Sequence, residues 1–421
     1  MRSNGERVMA MQVQGAVPRL RFPEFANLGA WKERRLGEVM SFQAGFPFAS
    51  AKFSENNSGL RLVRNRDLKS NDKAIFYSGD FEDRYVVSDG DVLIGMDGDF
   101  TPYVWRSGRA LLNQRVGRIS AGQECSLDFA YYLLSVHLRE IEDSTAKTTV
   151  KHLSHSDVES IKKPLPVLAE QKKVAGCLVS LDACIGSEIR KLDALKSHKQ
   201  GLMQQLFPAE GRCLPRLRFP GFNGEWRVAK LSDVSIVVRG GSPRPIDSYL
   251  THAADGLSWL KIGDVDKAAK YIERTQEKVI PAALSKTREV HPGDLILSNS
   301  MSFGRPYISK ISCCIHDGWL AITDIGKQVN SNFLYYALGS QACQTYFLNA
   351  AAGSGVKNLN ADIIKQLSVV IPMLEEQRRI SECLSEIDEV IAFHSEKIAS
   401  LQRHKAGLMQ GLFPVTEVPV S

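Results

Sequence analysis

The sequence predicts an α+β fold: two mixed α/β domains separated by two long helices that pair as an antiparallel coiled coil, the whole forming an internal pseudo-two-fold repeat. Three observations predict it. Residues 164–208 and 370–414 align without a gap at an offset of 206, with 19 of 45 positions identical. Each copy carries its apolar residues at heptad spacing. Each follows a globular segment, 24–163 or 221–369, in which the same features recur in the same order. A repeat at fixed offset dictates architecture before any local reading does.

In the first copy the apolar positions are Val174, Leu178, Leu181, Ile185, Leu192, Leu195, Leu202 and Leu206. The second copy answers with Ile380, Leu384, Ile387, Ile391, Ile398, Leu401, Leu408 and Leu412. Steps of 4, 3, 4 and 7 make a narrow seam rather than the broad stripe of a helix lying on a globular core. Lys199 and Lys405 interrupt that seam, as register-setting polar residues do. Pro166 and Pro372 close an extended apolar run; Glu170-Gln171 and Glu376-Gln377 then open each helix with its acidic residue first, as the helix dipole prefers. Phe207-Pro208 and Phe413-Pro414 end it, because proline cannot continue a helix. At about 1.5 Å per residue, a helix of about 36 residues spans roughly 54 Å. A lone seam needs a partner, and the matched copy supplies one of equal length. The plainer alternative buries each seam in a larger bundle.

The repeat extends into the lead-ins. Pro18-Arg19-Leu20-Arg21-Phe22-Pro23 returns as Pro215-Arg216-Leu217-Arg218-Phe219-Pro220, each followed by a tryptophan, Trp31 or Trp226. Leu60–Leu68 answers Leu257–Val265, and Gly90-Asp91-Val92-Leu93-Ile94 answers Gly293-Asp294-Leu295-Ile296-Leu297. These short apolar runs bounded by Gly and Asp read as strands and turns. Ala130–Leu134 answers Leu334–Leu338, each inside a short helix. The expected organisation is a disordered extension (1–17), a first domain (18–163), a central helix (164–208), a second domain (209–369), a distal helix (370–414) and a tail (415–421). Met9 and Met11 are alternative starts. Similar helices with divergent globular parts point to one shared docking task and two different recognition tasks.

Composition bounds the class without naming it. The 421 residues carry 53 basic and 47 acidic side chains, net +6, a mild bias toward anionic partners. Apolar residues make up 43% and charged ones 24%, the balance of a soluble globular chain. Eight cysteines show no CxxC pair and no zinc spacing, so they read as free thiols in a reducing compartment. There is no run of about 18 apolar residues to span a membrane, and residues 1–17 lack a signal-peptide core.

No catalytic constellation stands out: no GxxxxGK[ST], no HExxH, no GxSxG and no Asn-Pro anywhere. Asp67-Leu68-Lys69 has the D-x-K form of a nuclease metal site but lacks a preceding aspartate; His152 and His155 lack a third ligand nearby and read as polar loop residues. What remains is a set of basic and amide-bearing loops. Arg61, Arg64, Asn65 and Arg66 gather at one strand end, and Asn113, Gln114, Arg115 and Arg118 at another. Lys147, Thr148, Thr149, Lys151 and His152 make a third group, mirrored by Ser354, Lys357 and Asn358. Lys261 answers Arg64, and Ser298–Arg305 is a hydroxyl-rich loop containing Ser302 and Arg305. Lysine and arginine suit phosphates, and Arg, Asn and Gln make paired hydrogen bonds to base edges. Singly, each is as well explained by turn chemistry.

The chain resembles the specificity (S) subunits of type I restriction–modification systems. The resemblance is carried by the PLPxLxEQ…GLMQxLFP helices, the PRLRFP lead-ins and the Gly-Asp-[Val/Leu]-[Leu/Ile] strands, and it covers nearly the whole chain. It implies that the globular parts are target recognition domains, each reading half of a bipartite double-stranded DNA target. The helices would set the spacing and dock two modification (methyltransferase) subunits, which restriction (translocase and endonuclease) subunits join. It implies no active site and no cofactor here, with S-adenosylmethionine, ATP and Mg on the partners, and the cytoplasm of a bacterium or archaeon. DNA contacts would then fall to Arg64, Asn65, Arg66, Asn113, Arg115, Lys147, Lys151, Lys261, Ser302, Arg305, Ser354, Lys357 and Asn358. Partner docking would fall to Glu170, Gln171, Gly201, Met203, Gln204, Glu376, Gln377, Gly407, Met409 and Gln410. The competing readings are a protein-binding coiled-coil scaffold, a silent specificity subunit without active partners, or a self-contained nuclease or methyltransferase, against which the missing motifs count.

Overall fold

A computed structural model describes residues 16–70, 72–98, 100–144, 152–299, 304–352 and 359–414. The first part of the chain runs β1 (Lys32–Arg35), β2 (Met40–Ala44), β3 (Phe53–Ser54), β4 (Leu60–Val63), β5 (Ile75–Tyr77), β6 (Val86–Val87), β7 (Val92–Gly95), β8 (Pro102–Val104), β9 (Ala110–Leu112), β10 (Val116–Ala121), α1 (Leu127–Ser144), α2 (His155–Ser160), β11 (Lys162–Leu165) and α3 (Leu168–Leu206). The second runs β12 (Arg227–Lys230), α4 (Leu231–Val234), β13 (Ile236–Arg239), β14 (Leu250–Thr251), β15 (Leu257–Leu260), β16 (Tyr271–Ile272), β17 (Glu277–Val279), β18 (Arg288–Val290), β19 (Leu295–Ser298), β20 (Pro306–Ser309), β21 (Cys313–Ile315), β22 (Trp319–Thr323), α5 (Ser331–Leu338), α6 (Gln341–Ala352), α7 (Ala361–Lys365), β23 (Ser368–Ile371) and α8 (Leu374–Leu412). Among the described residues no helix is long and apolar enough to cross a membrane.

The chain divides into two compact units, Met1–Glu188 with Lys397–Ser421, and Ile189–Glu396. The limits fall inside α3 and α8. The reason is packing: in unit 1, Val174 and Leu178 from the start of α3 share a core with Leu412 and Phe413 from the end of α8. In unit 2 the roles reverse, with Leu206 and Phe207 from the end of α3 packed with Ile380 and Leu384 from the start of α8.

Both units are built on one topology. Unit 1 has a four-stranded sheet β2-β10-β7-β8, a five-stranded sheet β3-β5-β4-β9-β6, and a ribbon β1-β11. Unit 2 repeats them as β13-β22-β19-β20 with β16 added at the edge, β14-β17-β15-β21-β18, and β12-β23. Even the parallel pair recurs, β4 with β9 and β15 with β21. Strands β7 and β19 explain the Gly-Asp signature. Val92 and Ile94 face one core while Leu93 faces another, and Leu295 and Leu297 oppose Ile296 in the same way. A strand covered on both faces reads as a continuous apolar run. Gly90 and Gly293 both have φ +97, a turn conformation that glycine adopts at no steric cost. Asp91 and Asp294 tie those turns by accepting from the N–H of Ser88 (2.8 Å) and His291 (2.7 Å).

The two long helices pack together antiparallel. In unit 1 Lys405 reaches Asp182 (2.6 Å) and Lys397 reaches Glu188 (3.0 Å), so the chains run in opposite senses. Every seam position in both helices is buried or half-buried. The seam lysines are answered by charge: Lys199 meets Asp388 (2.5 Å) in unit 2 as Lys405 meets Asp182 in unit 1. A tyrosine hydroxyl donates to each of those carboxylates, Tyr132 to Asp182 (2.7 Å) and Tyr336 to Asp388 (2.6 Å). Burial, with the neighbouring carboxylate second, pushes both phenols up.

The added strand β16 gives unit 2 a feature of its own. Lys270 donates to Tyr336 Oη (3.0 Å) and Ser385 Oγ (2.9 Å), with the rings of Tyr271, Tyr335 and Tyr336 within 5.4 Å of its ammonium. Burial lowers the Lys270 pKa to about 8; the charge of Asp388 opposes the shift and Lys199 adds to it. A folded-state value below the ordinary 10.5 means that the unfolded chain holds more protons between the two. The stability this amine contributes therefore rises as pH climbs from 8 toward 10.5 and is lost as pH falls through 8. Urea unfolding of the wild type and Lys270→Met at pH 7.5 and 9.5 checks it: the wild type should gain on the variant at the higher pH.

Candidate functional site

Two kinds of feature recur in both units: a fastener where each long helix begins, and a polar loop cluster at one end of the sheet that holds β7 or β19.

The fastener is built on Glu170 and Glu376, each 1% exposed. Arg21 grips Glu170 through Nε and a terminal nitrogen, both at 2.8 Å, and Trp31 Nε1 donates to it at 3.1 Å. Arg218 grips Glu376 at 2.8 and 2.7 Å, with Trp226 Nε1 at 3.1 Å. Each carboxylate holds its arginine above the ordinary guanidinium pKa. The adjacent Gln171 accepts from Ser126 N–H and donates to the carbonyls of Glu124 and Pro166; Gln377 does the same with Asn330, Gln328 and Pro372. The strap that supplies the arginine also seals the end of the facing helix. Leu20 N–H donates to the Gly411 carbonyl (2.8 Å), and Leu217 N–H donates to that of Gln205 (2.9 Å). The last carbonyls of a helix have no intrahelical donor, so these bonds satisfy groups otherwise left open.

This corrects the docking expectation for Glu170, Gln171, Glu376 and Gln377. They are buried and their hydrogen bonds are spent inside the chain, so they offer no surface to a partner. The other docking candidates do: Gln204, Gly407 and Gln410 are exposed, and Gly201, Met203 and Met409 half-buried. A Cβ on Gly201 or Gly407 would meet nothing within 4 Å.

The loop cluster of unit 1 forms where the chain leaves β4 and β7 and enters β10. Asp97, just past β7, is its node. One carboxylate oxygen, Oδ1, accepts from Arg115 (3.2 Å) and from His152 Nδ1 (2.8 Å), and the Asp97 carbonyl accepts from Asn65 Nδ2 (2.8 Å). Asn113 Oδ1 accepts from Gln114 N–H, shaping the β9–β10 turn (2.9 Å). Arg66 is 62% exposed beside this group. Asn65 and Arg115, read from the sequence as two separate groups, therefore meet at Asp97, while Asn113 shapes the adjoining turn and Arg66 lies next to Asn65 in the chain.

Arg64 is not free to join them. Its guanidinium is doubly bonded to Asp67 (2.7 and 2.8 Å), which is 5% exposed, and to the Lys73 carbonyl (2.7 Å). The D-x-K aspartate is thus the cap of the 3-10 turn Asn65–Leu68, not a metal ligand. Lys261, its counterpart, pairs with Glu277 (2.6 Å). Arg118 points inward to Gln43 and the carbonyls of Arg84 and Val86. Arg305 turns to the Lys267 carbonyl and lines a pocket of about 200 Å³ with Lys199, Met203, Tyr335 and Tyr336, away from the loop cluster. Lys147, Lys151, Ser302, Ser354, Lys357 and Asn358 lie outside the described residues.

In unit 2 the node is Asp317, on the β21–β22 turn. Its carboxylate takes Ser242 Oγ (2.9 Å), His316 Nε2 (3.0 Å) and, at 3.7 Å, Arg244, which is 82% exposed. Its carbonyl takes Arg239 Nε (3.0 Å) and Asn299 Nδ2 (2.8 Å). Sequence reading missed Asp97, Asp317, Arg239 and Arg244; Asn299 lies in the Ser298–Arg305 loop that it singled out. The two nodes come from non-equivalent positions, so comparing the halves could not have aligned them. The available signal was glycine: a Cβ on Gly45 or Gly240 would overlap the backbone carbonyls of Leu112 and Asn113, or of Ile315 and His316. Both glycines press onto the turns that carry these clusters.

Residues 29–197 and 223–403 each match the family described as the type I restriction modification DNA specificity domain. The specificity subunit of the type I restriction enzyme EcoBI from Escherichia coli is 26% identical over 386 residues, covering 86% of this chain and 81% of that one. The MjaVIII specificity subunit from Methanocaldococcus jannaschii is 22% identical over 426 residues, covering 93% and 92%. The crystal structure of a type I restriction–modification S subunit from M. genitalium superposes with a TM-score of 0.63 at 15% identity, over 95% of this chain and 99% of that one.

Proposed function

The chain belongs to the type I restriction modification DNA specificity family, and from that premise we propose that it selects DNA sequence for a modification and restriction complex without itself catalysing a reaction. Each unit reads one half of a bipartite target through its loop cluster. The exposed faces of the long helices receive the modification subunits, with the Gly201–Gln204 and Gly407–Gln410 segments and the exposed apolar Val390 (42%) and Phe393 (63%) on α8 as the contact surface. S-adenosylmethionine, ATP and Mg belong to those partners. The observation that carries the reading is that one topology with one set of fasteners is built twice, while the loops at the equivalent sheet ends differ in which residues they present. Shared scaffold with divergent tips is what one docking task and two recognition tasks require.

Two measurements test it. Co-expression with a modification subunit in a methylation-free host, followed by mapping of methyladenine, should yield a split motif: two short specified parts around an unread gap. No motif from a stable complex overturns the reading. Independently, DNA affinity of the full chain should fall about a thousandfold between about 50 and 200 mM salt, as several neutralised phosphates impose. A protein-binding scaffold would show no such slope.

A further inference from the structure

The loop cluster of unit 1 has a donor and acceptor pattern definite enough to specify bases, an inference that rests on the DNA reading proposed above. We infer that Arg115 reads a guanine and His152 the exocyclic amine of a neighbouring adenine or cytosine, with Asp97 as the positioning residue that aims both.

Three segments meet at Asp97 and are locked there by main-chain bonds. Met96 N–H donates to the Arg115 carbonyl (3.0 Å), Leu153 N–H donates to the Met96 carbonyl (2.8 Å), and Asp97 and His152 form an antiparallel bridge. The carboxylate is recessed, 28% exposed, while Arg115 is 55% and His152 47% exposed. A carboxylate beneath two outward heads serves them as an anchor, and a bare one facing DNA would repel phosphate. Arg115 gives one terminal nitrogen to Asp97. A guanidinium carries five N–H groups in a planar fork, so a paired set of donors remains, the complement of guanine O6 and N7. A carboxylate only accepts, so His152 Nδ1 carries the hydrogen in this bond, and with the ring's one hydrogen placed there Nε2 is an acceptor. An acceptor suits the amino group of adenine or cytosine in the major groove.

Unit 2 does not repeat this pattern. There His316 spends both nitrogens, Nδ1 accepting from Gly318 N–H (2.9 Å) and Nε2 bonded to Asp317 (3.0 Å), so the ring has nothing left to present. Arg244 is the outward donor of that cluster. The two units therefore carry different codes on one frame.

The test uses the full chain, alone or with its modification subunits, to select from a pool of randomised duplexes that is sequenced before and after binding. The wild type should enrich a split sequence with a guanine in one half. Arg115→Lys keeps the charge but loses the fork, and Asp97→Ala releases it; both should cut the preference at that same base pair by about 10- to 100-fold and leave the other half unchanged. Asp97→Asn keeps an acceptor and should recover part of the preference. Guanine selection left intact by Arg115→Lys overturns the inference, as does Asp97→Ala weakening both halves equally, the mark of a structural role only. Should the wild type enrich no sequence at all, the DNA reading itself has failed and this inference with it.

Discussion

Replacing Glu376 by alanine is expected to destabilise unit 2 by about 3–5 kcal/mol, the range for removing one partner of a buried ion pair. The size follows from what is left behind. Arg218 keeps only 18% of its side chain exposed and would face the vacated site with two N–H groups unmet; the indole N–H of Trp226, a residue 4% exposed, would lose its acceptor as well. Glu170→Ala should act likewise in unit 1 through Arg21 and Trp31. Urea unfolding of the full chain, followed by circular dichroism, measures both. Because a buried pair is costly to break but cheap to replace, Arg218→Met with Glu376→Leu should recover the part of the loss due to Arg218, while the indole N–H of Trp226 stays without its acceptor. A single-mutant shift of under about 1 kcal/mol, the size of an exposed surface pair, would sink the fastener assignment.

Gly45→Ala is expected to remove sequence selection by unit 1 while leaving the chain folded. The new methyl would overlap the carbonyls of Leu112 and Asn113, backbone that cannot rotate aside. Overpacking of this kind costs about 1–3 kcal/mol in stability, tolerable for a unit of this size. The turn must move, however, and Arg115 is its last residue before β10. Losing two base contacts worth at least about 1 kcal/mol each lowers affinity for the selected target by roughly 30-fold or more. Gly240→Ala should do the same to the half read by unit 2, through the turn holding Asp317. Enrichment from randomised duplexes distinguishes the two variants, since each should blur a different half. If both blur the same half, the one-unit, one-half correspondence is wrong.

How legible was all this in the sequence? The helices and their pairing were, because the heptad is a local periodic signal repeated over the whole length of each copy. The register was half legible: Lys199 and Lys405 stood out in the seam, but Asp182 and Asp388 look like ordinary helix-surface acids until the antiparallel pairing sets them opposite. The fasteners had a signature that was read differently. Arg, Trp and Glu-Gln recur together in both halves, yet an acidic residue in a first helical turn has a sufficient local explanation in the helix dipole, which hid its burial. Loop clusters are hardest. Asp97 and His152 lie 55 positions apart and meet only through the sheet topology. Lys261 looked like a free cation because its partner Glu277 lies 16 positions away and is found by folding; Arg64 had its partner Asp67 three residues on, a local capping pair passed over.

The strap at residues 18–23 bears on how the chain is ordered in cyclic terms. It closes on Gly411 as the strap at 215–220 closes on Gln205, and the second strap follows its helix after a short link, from Pro208 to Pro215. Residue 414 therefore stands to residue 18 as residue 208 stands to residue 215. A permuted chain, joined from 414 to 18 by a linker of that length and opened between 208 and 215, would keep every fastener, both seam ion pairs and both loop clusters.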